Sequence, residues 1–280
     1  MTADSKRALA IFFSLIVILS GITEFMAIRY TAGTRTVMWS VGIAALLTLR
    51  IVKREPASLG WGWGRWRYEW MAFLIPAGYC IVAYTIIWTM GWGGFYNTQS
   101  VAGWRDMFGL KAWSDGAVLA YFLPVTAFFG LPGSLSTALG EEIGWRGFLV
   151  PELSKSMSFA KVALISGLVW AAWHLPLIVL GHYHNNSPAA LPLAGQLVMF
   201  FTGVVSAAVI MAYLRLKSGS LWTGAIFHAS HNLFVQTICN PLTIEYPHSA
   251  KYIDELGYVL PITILVVAVY FFIKGRRELA

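Results

Sequence analysis

The stretch "LGEEIGWRGF", Leu139 to Phe148, puts two adjacent carboxylates, and a guanidinium four residues after the second, into an apolar run that extends from about 117 to 150. A charge at the centre of a bilayer costs roughly 2.5–3.5 kcal/mol on insertion scales, so these side chains need compensation from what surrounds them. Working outward, the rest of the chain has the same character. Its 280 residues are 58% hydrophobic and 15% aromatic, with 12% charged, and the mean hydropathy is +0.64. That leaves too little polar side chain to cover a soluble globule of this size. The composition specifies an all-α, polytopic integral protein of the cell membrane.

A helix needs roughly 20 residues, at about 1.5 Å each, to cross the hydrocarbon of a bilayer. Apolar runs long enough for this lie at about 8–28, 36–52, 70–92, 117–139, 160–180, 193–214, 220–239 and 258–273, which predicts about eight crossings in one integral domain, 1–280. The fourth is irregular: Pro124 and Pro132-Gly133 interrupt it, and its apolar character runs on to Val150, where Pro151 stops it. A break near Pro132 is expected, followed by a second helical piece from about Ser134 to Val150. The first run follows Lys6-Arg7 and is longer than a typical signal-peptide core, so it reads as an uncleaved anchor. Cys80 and Cys239 both fall inside predicted spans, so no disulfide is expected. The mixture of Trp and Arg in "WGWGRWRYEW", 61–70, reads as an interfacial aromatic belt.

If the N-terminus is cytoplasmic, fifteen of the twenty Lys and Arg fall on the cytoplasmic side and five outside. The bias predicts that both termini are cytoplasmic. The net charge of +7 is accounted for by anionic lipid headgroups and calls for no nucleic-acid partner.

Ionisable groups inside the spans are the natural site candidates. They are Glu141, Glu142 and Arg146 in the fourth segment, His174 in the fifth, and His228, His231 and Asn232 in the seventh. Glu142 and Arg146 are i and i+4, in the favourable order for an ion pair on one helix face. Glu141 is turned about 100° from that face. Gly140 and Gly144 make a small-residue step that admits a close neighbouring helix, a possible source of a partner for Glu141. Trp170 stands one turn before His174, and His228 and Asn232 share a face at i and i+4. Counted from the nearest cytoplasmic edge, Glu141, His174 and His228 lie roughly 13, 19 and 12 Å deep. The expectation is a polar cavity facing the cytoplasm.

A carboxylate in a partly desolvated pocket serves as a general base toward water. A neighbouring imidazole shares the proton or orients the water, and an amide with a second imidazole donates to an oxyanion. These are the parts needed to hydrolyse an amide without a Ser or Cys nucleophile.

Glu141-Glu142-x-x-x-Arg146, Trp170-x-x-x-His174 and His228-x-x-x-Asn232, in this order on three spans, resemble the CPBP intramembrane proteases, the family of type II CAAX prenyl endopeptidases and bacteriocin-processing proteins. The similarity covers about 117–240 and is to a prokaryotic homologue of the Ras-converting CAAX endopeptidase. It implies that Glu141 and His174 activate the hydrolytic water, that His228 and Asn232 stabilise the oxyanion, and that Glu142, Arg146 and the aromatic Trp170 support them. One departure is that the family often has Phe where Trp170 stands. The implied substrate is a prenylated or lipid-associated peptide with a C-terminal C-a-a-X sequence, cleaved near that end. No cofactor is required by this reading. The alternative is a zinc site in which Glu141, His174 and His228 are the ligands, although no H-E-x-x-H helix is present.

A proton- or ion-coupled transporter also uses intramembrane Glu, His and Arg, but predicts paired broken helices, and the chain offers one. A non-catalytic scaffold would not need the full residue set. Neither the G-x-S-G nor the G-x-G-D motif of other intramembrane proteases occurs. In the loop "GHYHNNSP", 181–188, His182 and His184 read as part of a solvated turn rather than a metal clip, and Asn185-Asn186-Ser187 matches a glycosylation sequon.

Overall fold

The computed structural model describes residues 1–30, 34–180 and 190–279; the loop histidines and the sequon lie outside the described residues. All eight expected crossings are helical. Helices α1 (Ala3–Tyr30), α2 (Thr34–Ile51) and α3 (Trp66–Thr89) come first, and α4 (Thr98–Met107) lies between crossings. The fourth crossing comprises α5 (Asp115–Phe129), α6 (Leu131–Glu142), a π-helical stretch (Ile143–Leu149) and α7 (Val150–Ser154). Then follow α8 (Phe159–Trp173), α9 (Leu175–Val179), α10 (Leu193–Ser218), α11 (Trp222–Asn232), a second π-helical stretch (Leu233–Cys239), α12 (Asn240–Leu242) and α13 (Val259–Glu278). A two-residue ladder pairs β1 (Gly94–Phe95) with β2 (Thr243–Ile244), antiparallel.

Five helical segments are long and apolar enough to cross a membrane: Ala3–Tyr30, Trp66–Thr89, Asp115–Ser154, Leu193–Ser218 and Val259–Glu278. The other three expected crossings fall short of that test for local reasons. Arg35 and Arg50 sit within α2, α8 gives way at His174 and Pro176, and α11 carries the polar candidates themselves.

The joint in the fourth crossing falls at Gly130, with Pro132 inside the first turn of α6. It is a bend rather than a gap, because the Gly130 N–H still reaches the Thr126 carbonyl at 2.9 Å and the Ser134 N–H reaches the Gly130 carbonyl at 3.3 Å. The second piece therefore begins at Leu131, and it continues through Pro151 to Ser154. Proline accounts for the π stretch. The Val150 N–H donates five residues back, to the Trp145 carbonyl, and Pro151, next in line, has no N–H for the Arg146 carbonyl. That carbonyl is taken instead by Nε of the buried Arg215 on α10, at 2.7 Å. The second stretch ends the same way: the Asn240 N–H reaches the Val235 carbonyl, and Pro241 follows. Each π segment thus begins directly after a motif residue, Glu142 or Asn232, where such turns tend to mark functional sites.

Glycine sets the closest helix contact. Cβ atoms on Gly140 and Gly144 would meet Cα of Trp39 at 2.9 Å and the Val41 carbonyl oxygen at 2.8 Å, so α2 and α6 pack almost backbone to backbone. The two ends of the bundle are tied differently. At the end holding both termini, Arg54 and Lys155 bind Glu152 at 2.8 and 2.6 Å, Lys217 binds Glu278 at 3.0 Å, and Arg215 reaches the Leu59 carbonyl at 3.2 Å. At the far end the small ladder, the Arg105–Asp115 pair and the stack of Trp92 on Tyr252 join the loops. Cys80 and Cys239 are buried free thiols.

Candidate active site

Glu141 and Glu142 end α6 with their side chains buried. Glu142 Oε1 accepts from Arg146 Nη1 at 2.9 Å, the ion pair expected from the i, i+4 spacing, and also from His228 Nδ1 at 3.0 Å. The close helix packed at Gly140 and Gly144 brings nothing to Glu141. Its partners are two indoles instead: Trp145, one turn on, donates to Oε2 at 3.2 Å, and Trp170 of α8 donates to the same oxygen at 2.7 Å. Among the described residues no hydrogen bond falls on Oε1. The Arg146 guanidinium lies 4.1 Å above the Trp170 ring, a cation–π contact that compensates Nε and Nη2, which lack hydrogen-bond partners.

His174 caps the C-terminal end of α8 and donates Nδ1–H to the Trp170 carbonyl at 2.9 Å. A carbonyl can only accept, so the proton on Nδ1 is fixed. His228 is held the same way, with Nδ1 on the Glu142 carboxylate. Asn232, the last residue of α11, makes no hydrogen bond among the described residues. Trp170, His174, His228 and Asn232 line one cavity of about 50 Å³, closed on its other side by apolar residues of α10 and α13, among them Phe200, Val204 and Ile264. That is room for a few water molecules. Glu141 is not part of that lining and is joined to it through the hydrogen bond from the Trp170 indole.

The structure therefore brings together all the residues of the three motifs. Trp170 and His174 are at the C-terminal end of α8, the lining residues of α10 are near its middle, those of α13 are in its first turns, and Glu255 belongs to the segment before α13. Toward the termini, Glu142, Arg146, Leu59 and Arg215 fill the bundle.

Sequence reasoning missed several groups. Two of them are bound by His231, itself a candidate from the sequence: Tyr79, at 2.6 Å, and Glu255, at 2.9 Å, which lines the cavity with it. Glu24 and Glu69 are further buried carboxylates on spanning helices. Trp145 was legible as an indole one turn from Glu141. Glu255, on an irregular segment, gave no periodic signal. Among the described residues no three His, Cys, Asp or Glu side chains converge as metal ligands, and Oε2 of Glu141 is occupied by two indole N–H groups.

Residues 122–234 match the family model "Type II CAAX prenyl endopeptidase Rce1-like". The chain is also similar to CAAX prenyl protease 2 of Methanococcus maripaludis, 26% identical over 165 residues, which are 57% of this chain and 52% of that protein. The chain thus spans about half the length of the curated relative it matches. Both similarities bear out the resemblance carried by the three motifs.

Proposed function

Starting from a chain that is Rce1-like over residues 122–234, we propose that it is an intramembrane endopeptidase of the CAAX-processing type, using Glu141 and His174 to activate water. The observation that carries this reading is the arrangement of the two imidazoles. Both have Nδ1 committed to the protein, His174 to a carbonyl and His228 to a carboxylate, and both line one water-sized chamber together with the amide of Asn232.

In this scheme water attacks the scissile carbonyl carbon as its proton passes to Glu141, and His174 orients it. With Nδ1 of His228 on the Glu142 carboxylate, Nε2–H of the doubly protonated ring and the Asn232 amide donate to the oxyanion of the tetrahedral intermediate in this scheme. Collapse breaks the C–N bond, and the leaving amine recovers the proton that Glu141 took. The resemblance supplies the substrate class, a prenylated peptide cut near its C-terminus.

The test is cleavage of a farnesylated CAAX peptide by purified protein. Glu141→Gln should lower kcat by about 10²–10⁴, and His228→Ala and Asn232→Ala by about 10²–10³ each. A wild-type rate in Glu141→Gln would end this mechanism.

A further inference from the structure

The peptidase reading makes no use of the stretch 61–70, in which Trp is interleaved with Gly and Arg. Trp63, Trp66 and Trp70 meet Phe73 of α3 and Phe128 of α5 around a cavity of about 150 Å³, roughly five water volumes. Their rings are near neighbours: Trp63 and Trp66 lie 5.3 Å apart, Trp70 and Phe73 6.4 Å, and Phe73 stacks on Phe128 at 6.0 Å. Aromatic faces carry negative potential, so a cage of this kind attracts cations.

Glu69 also lines the cavity and is 3% exposed. Both of its carboxylate oxygens are buried and take no hydrogen bond among the described residues, whereas Glu142 and Glu152 each leave only one oxygen in that condition. The Ser220 hydroxyl is in electrostatic reach. Arginines stand four and two residues earlier, yet among the described residues neither pairs with Glu69: Arg67 turns to the Tyr68 hydroxyl and ring, and Arg65 is exposed. A buried carboxylate in this state calls for a donor that carries positive charge.

Polarity falls along α3. Glu69 is three residues into the helix and Phe73 seven, roughly 4.5 and 10.5 Å of rise. The carboxylate thus lies near the interfacial tryptophans, and the wholly apolar rings lie deeper, the same order as headgroup and chain in a phospholipid.

We infer that this cavity binds an ethanolamine phospholipid, with the primary ammonium donating to Glu69 inside the ring cage and the acyl chains passing Phe73 and Phe128. A quaternary ammonium would suit the rings but has no N–H for the two carboxylate oxygens, and an anionic headgroup would meet Glu69 with like charge. Trp66 and Trp70 are exposed, so their rings can change rotamer within nanoseconds and admit the headgroup. The site is distinct from the catalytic chamber, because Ile226 of this cavity and His228 of the chamber are turned about 200° apart on α11.

The test is native mass spectrometry of purified, delipidated protein in detergent, given a dioleoyl phospholipid with an ethanolamine, choline or glycerol headgroup, or free ethanolamine. Wild type should hold the ethanolamine lipid about tenfold more tightly than the other two lipids. Glu69→Gln, which keeps the shape, should bring it down to the level of the choline lipid, and Trp70→Leu should weaken it about threefold. Glu24→Gln, which neutralises a buried carboxylate of α1 outside the lining, should leave it unchanged. The inference is overturned if the choline lipid binds as well as the ethanolamine lipid, if Glu69→Gln binds like wild type, or if Glu24→Gln weakens binding equally. It is also overturned if free ethanolamine binds as tightly as the lipid, which would make the ligand a soluble amine. Should Glu69→Gln fail to elute as a folded species in gel filtration, Trp70→Leu decides, and unchanged affinity there overturns the cage.

Discussion

Replacing Arg146 by Met tests whether the buried ion pair holds the centre of the bundle together. The guanidinium and the Glu142 carboxylate are 1% and 0% exposed and 2.9 Å apart. Without Arg146, Glu142 keeps one partner, His228, and its Oε2 already has none. Breaking a buried pair by removing one member costs about 3–5 kcal/mol, because the remaining charge is uncompensated, while replacing both by neutral groups of similar volume is often close to neutral. Arg146→Met should therefore unfold about 3–5 kcal/mol more easily, and the double variant Glu142→Gln/Arg146→Met should recover at least about 2 kcal/mol of that loss. Guanidinium titration in a non-denaturing detergent, followed by tryptophan fluorescence, gives both values. The argument is refuted if the single variant lies within about 1 kcal/mol of wild type, or if the double variant is no more stable than the single one.

Two further outcomes are expected. A methyl group on Gly42 would collide with the Gly140 carbonyl oxygen, whereas one on Gly21 meets nothing within 4 Å. Gly42→Ala should lose about 1–3 kcal/mol and Gly21→Ala should gain about 0.5–1 kcal/mol; equal stabilities in the same titration would deny the close α2–α6 contact. Peptidase activity should survive a strong chelator, since Glu141 Oε2 is engaged by two indoles; loss of activity restored by added zinc would favour the metal mechanism instead.

The fold class was legible because hydropathy is a property of composition, and the helical positions of the motifs followed from spacing alone. The Glu142–Arg146 pair is an example: i, i+4 placed both groups on one face, and the pair is there. What spacing could not supply was the interaction of Glu141 with another helix. The small residues at 140 and 144 correctly announced a near neighbour, but which helix came close, and that its contact with α6 is made by Trp39 and Val41, depended on packing. The end of α8 at His174 was likewise not given by spacing. The π segments did leave a trace, since Pro151 and Pro241 each stand nine residues after Glu142 and Asn232, but one such spacing means little until the missing N–H is seen to leave a carbonyl for Arg215.

A chamber of about 50 Å³ holds solvent but no tripeptide. A peptide bound there would have to draw α10 and α13 away from α8 and α11, against the sideways compression of the surrounding acyl chains. Bilayer stiffness would then oppose such binding as mechanical work, even though no lipid takes part in the contacts.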